Sequence, residues 1–108
     1  MRHKVEITAR AASELKEAYL WIRKDSPARA ASWRKRLLAA VKTLAVFPER
    51  CGLAPESSSV EGEIRQLVFG WYRILYEIRG REVRVLHIRH AARNYLPPEE
   101  LGFEQGED

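Results

Sequence analysis

The sequence predicts an α+β domain in which two helices pack on one face of an antiparallel sheet. Short segments in which apolar and polar residues alternate stand near both ends of the chain. Two longer segments with helical periodicity lie between them, and Gly, Pro and Ser residues separate these blocks. The order of elements is therefore strand, helix, helix and then a three-stranded meander.

The N-terminal segment predicts a strand followed by a helix. Residues 4–8 alternate between polar and apolar side chains, which is typical of a short strand. Thr8 can then accept a hydrogen bond from the first turn of a helix running to about Lys24. The apolar residues of that helix form one stripe, so we expect one buried face.

A second helix follows almost immediately. Ser26 suits its cap and Pro27 its first position, because proline already has the φ angle of a helix. We expect this helix to reach Phe47, where Pro48 stops it. Since the connection is so short, the two helices should pack antiparallel as a hairpin.

The C-terminal half predicts a loop and three strands. Residues 48–63 show no periodicity and contain Gly, Pro and three consecutive serines, so we interpret them as a loop. The segments rich in β-branched and aromatic residues are 64–69, 71–79 and 82–90, with a tight turn at residues 79–81.

The last strand changes phase within its own length. Val83 and Val85 share one face, whereas Leu86 and Ile88 share the other. A bulge near Val85 or Leu86 would return both pairs to the core.

Charge divides the chain into a basic body and an acidic tail. The 108 residues carry a net charge of +4, but residues 1–96 alone carry +9, because the tail has five acids and no base. We interpret residues 1–96 as a single domain and 97–108 as an acidic C-terminal tail. The body should attract anions.

Several classes of protein are excluded by composition. The single cysteine, Cys51, cannot form an intramolecular disulfide, and the three histidines lack the spacing of a zinc site. Glycine motifs for nucleotides are absent, and no apolar run approaches the length of a membrane span. We therefore expect a cytoplasmic protein with no metal, no cofactor, no membrane contact and no small-molecule substrate.

Arginine is concentrated in the predicted strands. Residues 64–95 contain seven arginines against two acids, interleaved with aromatic side chains. This pattern suits phosphate contacts with base stacking, but it also suits an ordinary sheet with one solvated face. If it is functional, the guanidinium groups should converge in one exposed, cation-rich hollow. The candidate target-binding residues are Arg65, Arg73, Arg89, Arg93, Trp71 and Tyr95.

A possible catalytic group lies at the end of the last strand. Cleavage of RNA by its own 2′-hydroxyl needs a proton acceptor, a proton donor and positive charge at the phosphate. His90 could exchange the proton, while Arg73 and Arg93 could hold the phosphate. The alternative is that His90 is a hydrogen-bonded structural residue.

Five sequence segments, in this order, resemble the RelE/ParE superfamily of toxins from type II toxin-antitoxin modules. They extend over nearly the whole chain apart from the acidic tail. The segments are VEITARA at 5–11, LAVFPER at 44–50, IRQL at 64–67, YRILYEI at 72–78 and VLHIRHAAR at 85–93.

The resemblance implies a small basic toxin that a cognate antitoxin neutralises by wrapping its sheet and helices. Some members cut messenger RNA on the ribosome, whereas ParE-like members bind DNA gyrase. Arg73 and Arg93 match phosphate-binding arginines of the ribonuclease branch. However, Ile64 and Gln66 replace the lysines of that branch, and Glu99 takes the place of its tyrosine.

The segments HAAR and FPER are more similar to the ParE-type, plasmid-stabilisation branch, which we therefore favour. Two alternatives stay open. One is a ribosome-dependent endoribonuclease, and the other is a relative that only binds and is not toxic.

Overall fold

The computed structural model describes residues 2–59 and 62–91 and confirms the α+β class. The strands and helices follow one another in the order that the sequence predicts, and most of their boundaries agree within one or two residues. The elements are β1 (Lys4–Ile7), α1 (Ala9–Asp25), α2 (Pro27–Lys42), β2 (Arg65–Phe69), β3 (Tyr72–Arg79) and β4 (Glu82–His90). The predicted loop contains two short 3₁₀ helices, Pro48–Arg50 and Pro55–Ser59.

The four strands form one mixed sheet with the order β1-β4-β3-β2. Strands β2, β3 and β4 make the predicted antiparallel meander, and β1 adds to β4 in parallel. Two-residue turns join the meander strands, and each begins with a glycine at positive φ, Gly70 at 57° and Gly80 at 59°. Such angles favour glycine because it has no Cβ.

The helical hairpin covers one face of this sheet. Ala11 and Leu15 of α1 and Leu37 and Val41 of α2 are buried against the sheet. Their partners from the sheet are Ile74, Tyr76, Val83, Val85 and Ile88. The helices therefore pack on a single face, as expected.

A β-bulge keeps the last strand in phase with this core. Leu75 pairs with His87, whereas the next residue, Tyr76, pairs with Val85, so Leu86 is the extra residue of β4. Because of this insertion both Val85 and Ile88 are buried on the helix side. The bulge predicted from the sequence is confirmed.

Side-chain caps begin both helices. Thr8 Oγ1 accepts the Ala11 N–H at 3.2 Å and donates to the Val85 carbonyl at 2.8 Å. Ser26 Oγ accepts the Arg29 N–H at 3.2 Å. Thr8 therefore fixes α1 to the sheet as well as capping it, whereas the bond from Ser26 stays within the hairpin.

The second helix ends earlier than predicted, at Lys42 rather than Phe47. Thr43 Oγ1 donates to the Ala40 carbonyl at 2.6 Å, and the chain tightens into a 3₁₀ turn at Thr43–Ala45. Phe47 has a φ angle of 50°, which reverses the chain before Pro48. Arg50 Nη1 then donates to the carbonyls of Thr43 and Val46 at 3.2 and 2.9 Å. Helical spacing continues beyond Lys42 because the 3₁₀ turn still buries Leu44.

We predict that Thr8→Ala lowers the free energy of unfolding by about 1–2 kcal/mol, because it removes a cap and a bond to the sheet. Urea denaturation monitored by circular dichroism measures the loss. Ser26→Ala removes a cap alone and should cost about 1 kcal/mol or less. Thr8→Ser should restore most of the stability. Equal losses for Thr8→Ala and Ser26→Ala would contradict the bond to the sheet.

Candidate functional site

The pleat of the sheet assigns the predicted site residues to opposite faces. Tyr72 pairs with His90 and the next residue, Arg73, pairs with Arg89. Successive side chains of a strand point to opposite faces, so each pair occupies its own side. Tyr72 contacts Trp33 of α2, which identifies the helix side. His90 therefore lies on the helix face, and Arg73 and Arg89 lie on the outer face.

On the outer face Arg73 is held by a two-pronged ion pair. Its Nη1 and Nη2 donate to the two carboxylate oxygens of Glu56 at 3.1 and 2.6 Å, and its Nε donates to Gln66 Oε1 at 2.8 Å. Arg73 is only 9% exposed. A guanidinium that donates two parallel hydrogen bonds to one carboxylate forms a stronger ion pair than one that donates a single bond. Arg73 is thus engaged inside the protein.

Glu56 reaches Arg73 from the loop between α2 and β2. Ser57 Oγ accepts the Ile64 N–H at 3.0 Å, and the Ala54 N–H donates to the Ile64 carbonyl at 2.7 Å. These bonds tie the loop to the chain that enters β2. They position the Glu56 carboxylate over the outer face of the sheet.

The charge of Glu56 is stabilised by its surroundings. Burial alone would raise the pKa of this carboxyl, but hydrogen bonds from Arg73 and a backbone N–H, together with the positive charges of Arg73 and Arg89, lower the pKa below its ordinary value. Glu56 therefore stays ionised and offsets the positive charge that the two arginines bring to this face.

Arg65 lies on the helix side of the sheet, since it pairs with the buried Tyr76. Its Nη1 donates to the carbonyls of Glu49 and Cys51 at 3.2 and 2.6 Å. The Tyr76 hydroxyl donates to the carbonyl of Pro48 at 2.5 Å. Burial, and after it the contact with Cys51, raises the pKa of Tyr76, so the phenol stays protonated. Arg65 and Tyr76 both anchor the loop that follows α2.

His90 belongs to a row of aromatic rings on the helix side. The Tyr72 ring lies 5.0 Å from the Trp33 ring and 5.1 Å from the imidazole of His90, which meets it edge-on at 82°. Neighbouring Trp71, in the turn between β2 and β3, is 75% exposed. His90 and Arg73 are therefore separated by the sheet itself.

These positions correct the expectation of one cation-rich hollow. Among the described residues, Arg73 and Arg89 share the outer face, whereas Arg65 is on the helix side. Arg79 and Arg84 pair with Glu77 at 3.1 and 3.4 Å. The pleat distributes these arginines to both faces, and carboxylates or carbonyls engage four of them. Arg93 and Tyr95, and the acidic tail 97–108, lie outside the described residues.

The structure also shows a groove that sequence reasoning missed, between α2 and the turn that joins β2 to β3. It has a volume of about 280 Å³. Its walls combine two cations, Arg29 and Arg36, with the rings of Trp33, Phe69 and Trp71. We call it the arginine–tryptophan groove. The helical spacing of Arg29, Trp33 and Arg36 was the available signal, but spacing within one helix does not show which turn of the sheet will lie against it.

Two further observations concern metals and membranes. Within residues 2–59 and 62–91, no three His, Cys, Asp or Glu side chains are close enough to hold a metal ion together. Neither α1 nor α2, the two long helices of the part described, has the length and apolar character needed to span a bilayer.

Comparison with known families assigns the chain. The family described as the ParE toxin of the type II toxin-antitoxin system, parDE, matches residues 5–95. The chain belongs to the ParE toxin family. The match confirms the ParE-type resemblance, and it includes both faces of the sheet and the arginine–tryptophan groove. No curated protein sequence matched the chain.

The fold agrees with that of a solved ParE-type system. The chain is similar to a chain of the chromosomal ParDE TA system from P. aeruginosa, with a TM-score of 0.68 and 22% sequence identity. The alignment covers 82% of this chain and 96% of that chain. At this identity the comparison supports the fold alone, while the contacts of individual side chains come from the present structure.

We predict that Glu56→Gln lowers the free energy of unfolding by about 1–2 kcal/mol at pH 7, because the buried guanidinium of Arg73 loses its charged partner. The loss stays below that of a fully buried pair, since the Glu56 side chain is 39% exposed and partly screened by water. Urea denaturation at several pH values measures it.

The pH dependence follows from the lowered pKa of Glu56. The contribution of its charge is complete above the pKa of the unfolded chain, ordinarily 4.5, and is lost as pH falls through the lower folded-state value. The difference between wild type and Glu56→Gln should therefore shrink in acid. Glu17→Gln, an exposed charge-matched control on α1, should cost much less. A Glu56→Gln loss that is independent of pH would contradict the ionic role.

Proposed function

We propose that this chain is a growth-inhibiting toxin that acts on DNA gyrase in the cytoplasm and is neutralised by a cognate antitoxin. Membership of the ParE family over residues 5–95 carries the proposal. The basic body supports it, because a net charge of +9 on residues 1–96 favours a negatively charged partner segment.

The geometry of the sheet disfavours the ribonuclease alternative. A metal-independent ribonuclease needs its proton-exchanging group and its phosphate-binding arginine at the same scissile bond. His90 and Arg73 lie on opposite faces of the sheet, and Glu56 already occupies both Nη groups of Arg73. Within the described part of the chain, these two residues do not form a common site.

The apolar surface supports recognition of a macromolecule. Trp21 on α1 is 62% exposed and Val68 on β2 is 61% exposed, in addition to Trp71 in the turn. Large apolar side chains in water commonly mark binding surfaces, and Trp is enriched among the residues that contribute most to interfaces. We propose that the antitoxin covers parts of the hairpin and the sheet through an acidic or amphipathic segment.

We predict that the purified chain inhibits ATP-dependent supercoiling by DNA gyrase and that expression without antitoxin stops growth and produces filamented cells. Agarose gels of relaxed plasmid, with increasing toxin, measure the inhibition. Heat-denatured toxin and a topoisomerase of another class are the controls. Undisturbed supercoiling would contradict the gyrase target, and harmless expression would favour a relative that only binds.

We predict that His90→Gln keeps growth inhibition within about a factor of two, because a gyrase-directed toxin needs no proton transfer at this position. His87→Gln is the matched control on the same strand, and circular dichroism checks the fold of both. If His90→Gln alone lost activity by orders of magnitude, and primer extension showed cuts inside codons with the wild type, the ribonuclease alternative would replace the proposal.

A further inference from the structure

The arginine–tryptophan groove combines positive charge with an exposed aromatic surface. Arg36 lies with its guanidinium carbon 5.9 Å from the centre of the Phe69 ring, so a cation and a ring form one wall. Arg29 pairs at 3.2 Å with Asp25, but both side chains are at least 74% exposed. Exposed ion pairs of this kind contribute little to folding stability, so Arg29 can exchange Asp25 for another carboxylate. The groove therefore suits a segment with both acidic and apolar side chains.

The C-terminal segment leaves the sheet at the rim of this groove. The Ala91 N–H donates to the carbonyl of Trp71 at 2.6 Å, and the preceding His90 packs on Tyr72. Trp71 itself lines the groove. Residues 92–108 lie outside the described residues. Because Ala91 is bonded to Trp71, their connection to the domain begins beside one wall of the groove.

The composition of residues 97–108 complements the groove. Residues 97–108 contain five acids and no base, with Leu101 and Phe103 among the acids, whereas the groove has two arginines. Apolar side chains of this size can pack on exposed indole rings while neighbouring carboxylates pair with guanidinium groups. The ten residues that follow Ala91 can span up to about 33 Å, and they start beside Trp71, which lines the groove.

We propose that residues 97–108 bind in the arginine–tryptophan groove of their own chain. Leu101 and Phe103 pack on Trp33 and Trp71, and the acids around them pair with Arg29 and Arg36. The tether favours this occupant over a separate molecule, because a short linker holds the segment at an effective concentration in the millimolar range.

Disulfide trapping tests the position of the segment in the full-length chain. In a Cys51→Ala background, Gly102→Cys is combined either with Ser32→Cys, which lines the groove, or with Arg34→Cys. Arg34 is exposed and lies about 160° around α2 from Ser32. We expect intramolecular disulfide formation at least ten times faster at position 32, measured by non-reducing gels and peptide mass spectrometry.

The charge contribution is tested in the same trapping assay. Arg29→Gln with Arg36→Gln should lower the rate at position 32 at least threefold, whereas Arg34→Gln with Lys35→Gln, an equal change of charge, should leave it unchanged. Equal trapping at positions 32 and 34 would overturn the proposal. Trapping between chains that disappears on dilution would also overturn it and would assign the groove to a second copy.

A second measurement avoids new cysteines. In the NMR spectrum of ¹⁵N-labelled protein, each of the three tryptophans, Trp21, Trp33 and Trp71, gives its own indole N–H signal. Phe103→Ala should shift the signals of Trp33 and Trp71 and leave that of Trp21, which does not line the groove, in place. Unchanged signals for all three tryptophans would contradict occupancy of the groove by this segment.

Discussion

The pairing of β3 with β4 determines both the core and the surface of this protein. The single bulge residue, Leu86, resets the alternation of β4, so Val85 and Ile88 reach the same side as Ile74 and the helices. The same alternation sends Arg73 and Arg89 to the outer face and His90 to the helix face. A shift of one residue would exchange these faces, which explains why packing specifies the register so strongly.

Arginines on the strands of this protein can serve the fold rather than a ligand, because burial forces their guanidinium groups to find acceptors within the chain. A desolvated guanidinium costs free energy unless acceptors satisfy it, and Arg73 obtains three acceptor atoms from Glu56 and Gln66. Arg65 reaches the same result with backbone carbonyls. Charge that is satisfied in this way holds the loop between α2 and β2 on the sheet. The positive charge of these two arginines is therefore less available to a partner than the number of arginines in the strands suggests.

The sequence predicted the elements well because their signals are local. The caps at Thr8 and Ser26 and the turns at Gly70 and Gly80 each involve neighbouring residues, and the phase change in β4 required the bulge whatever the strand paired with. Contacts across long stretches of sequence were not predictable. Glu56 comes from an aperiodic loop, 17 positions before Arg73, and β1 joins β4 across most of the chain.

The error at the end of α2 and the missed groove have a common physical origin. Helical periodicity reports which side chains face the core, and a 3₁₀ turn or an exposed flank can share that spacing. Thr43–Ala45 continues the apolar stripe without continuing the helix. Arg29, Trp33 and Arg36 repeat at helical spacing on a flank that becomes a site only when the turn between β2 and β3 brings Phe69 and Trp71 against it.

Among the described residues, the side chains that the fold leaves exposed are the ones available for the proposed recognition. The scaffold uses Arg65 and Arg73 internally, whereas large apolar side chains stay exposed on α1, on β2 and in the turn at Gly70–Trp71. Because function belongs to the site rather than to the scaffold, the contacts that hold this sheet together do not by themselves specify a target.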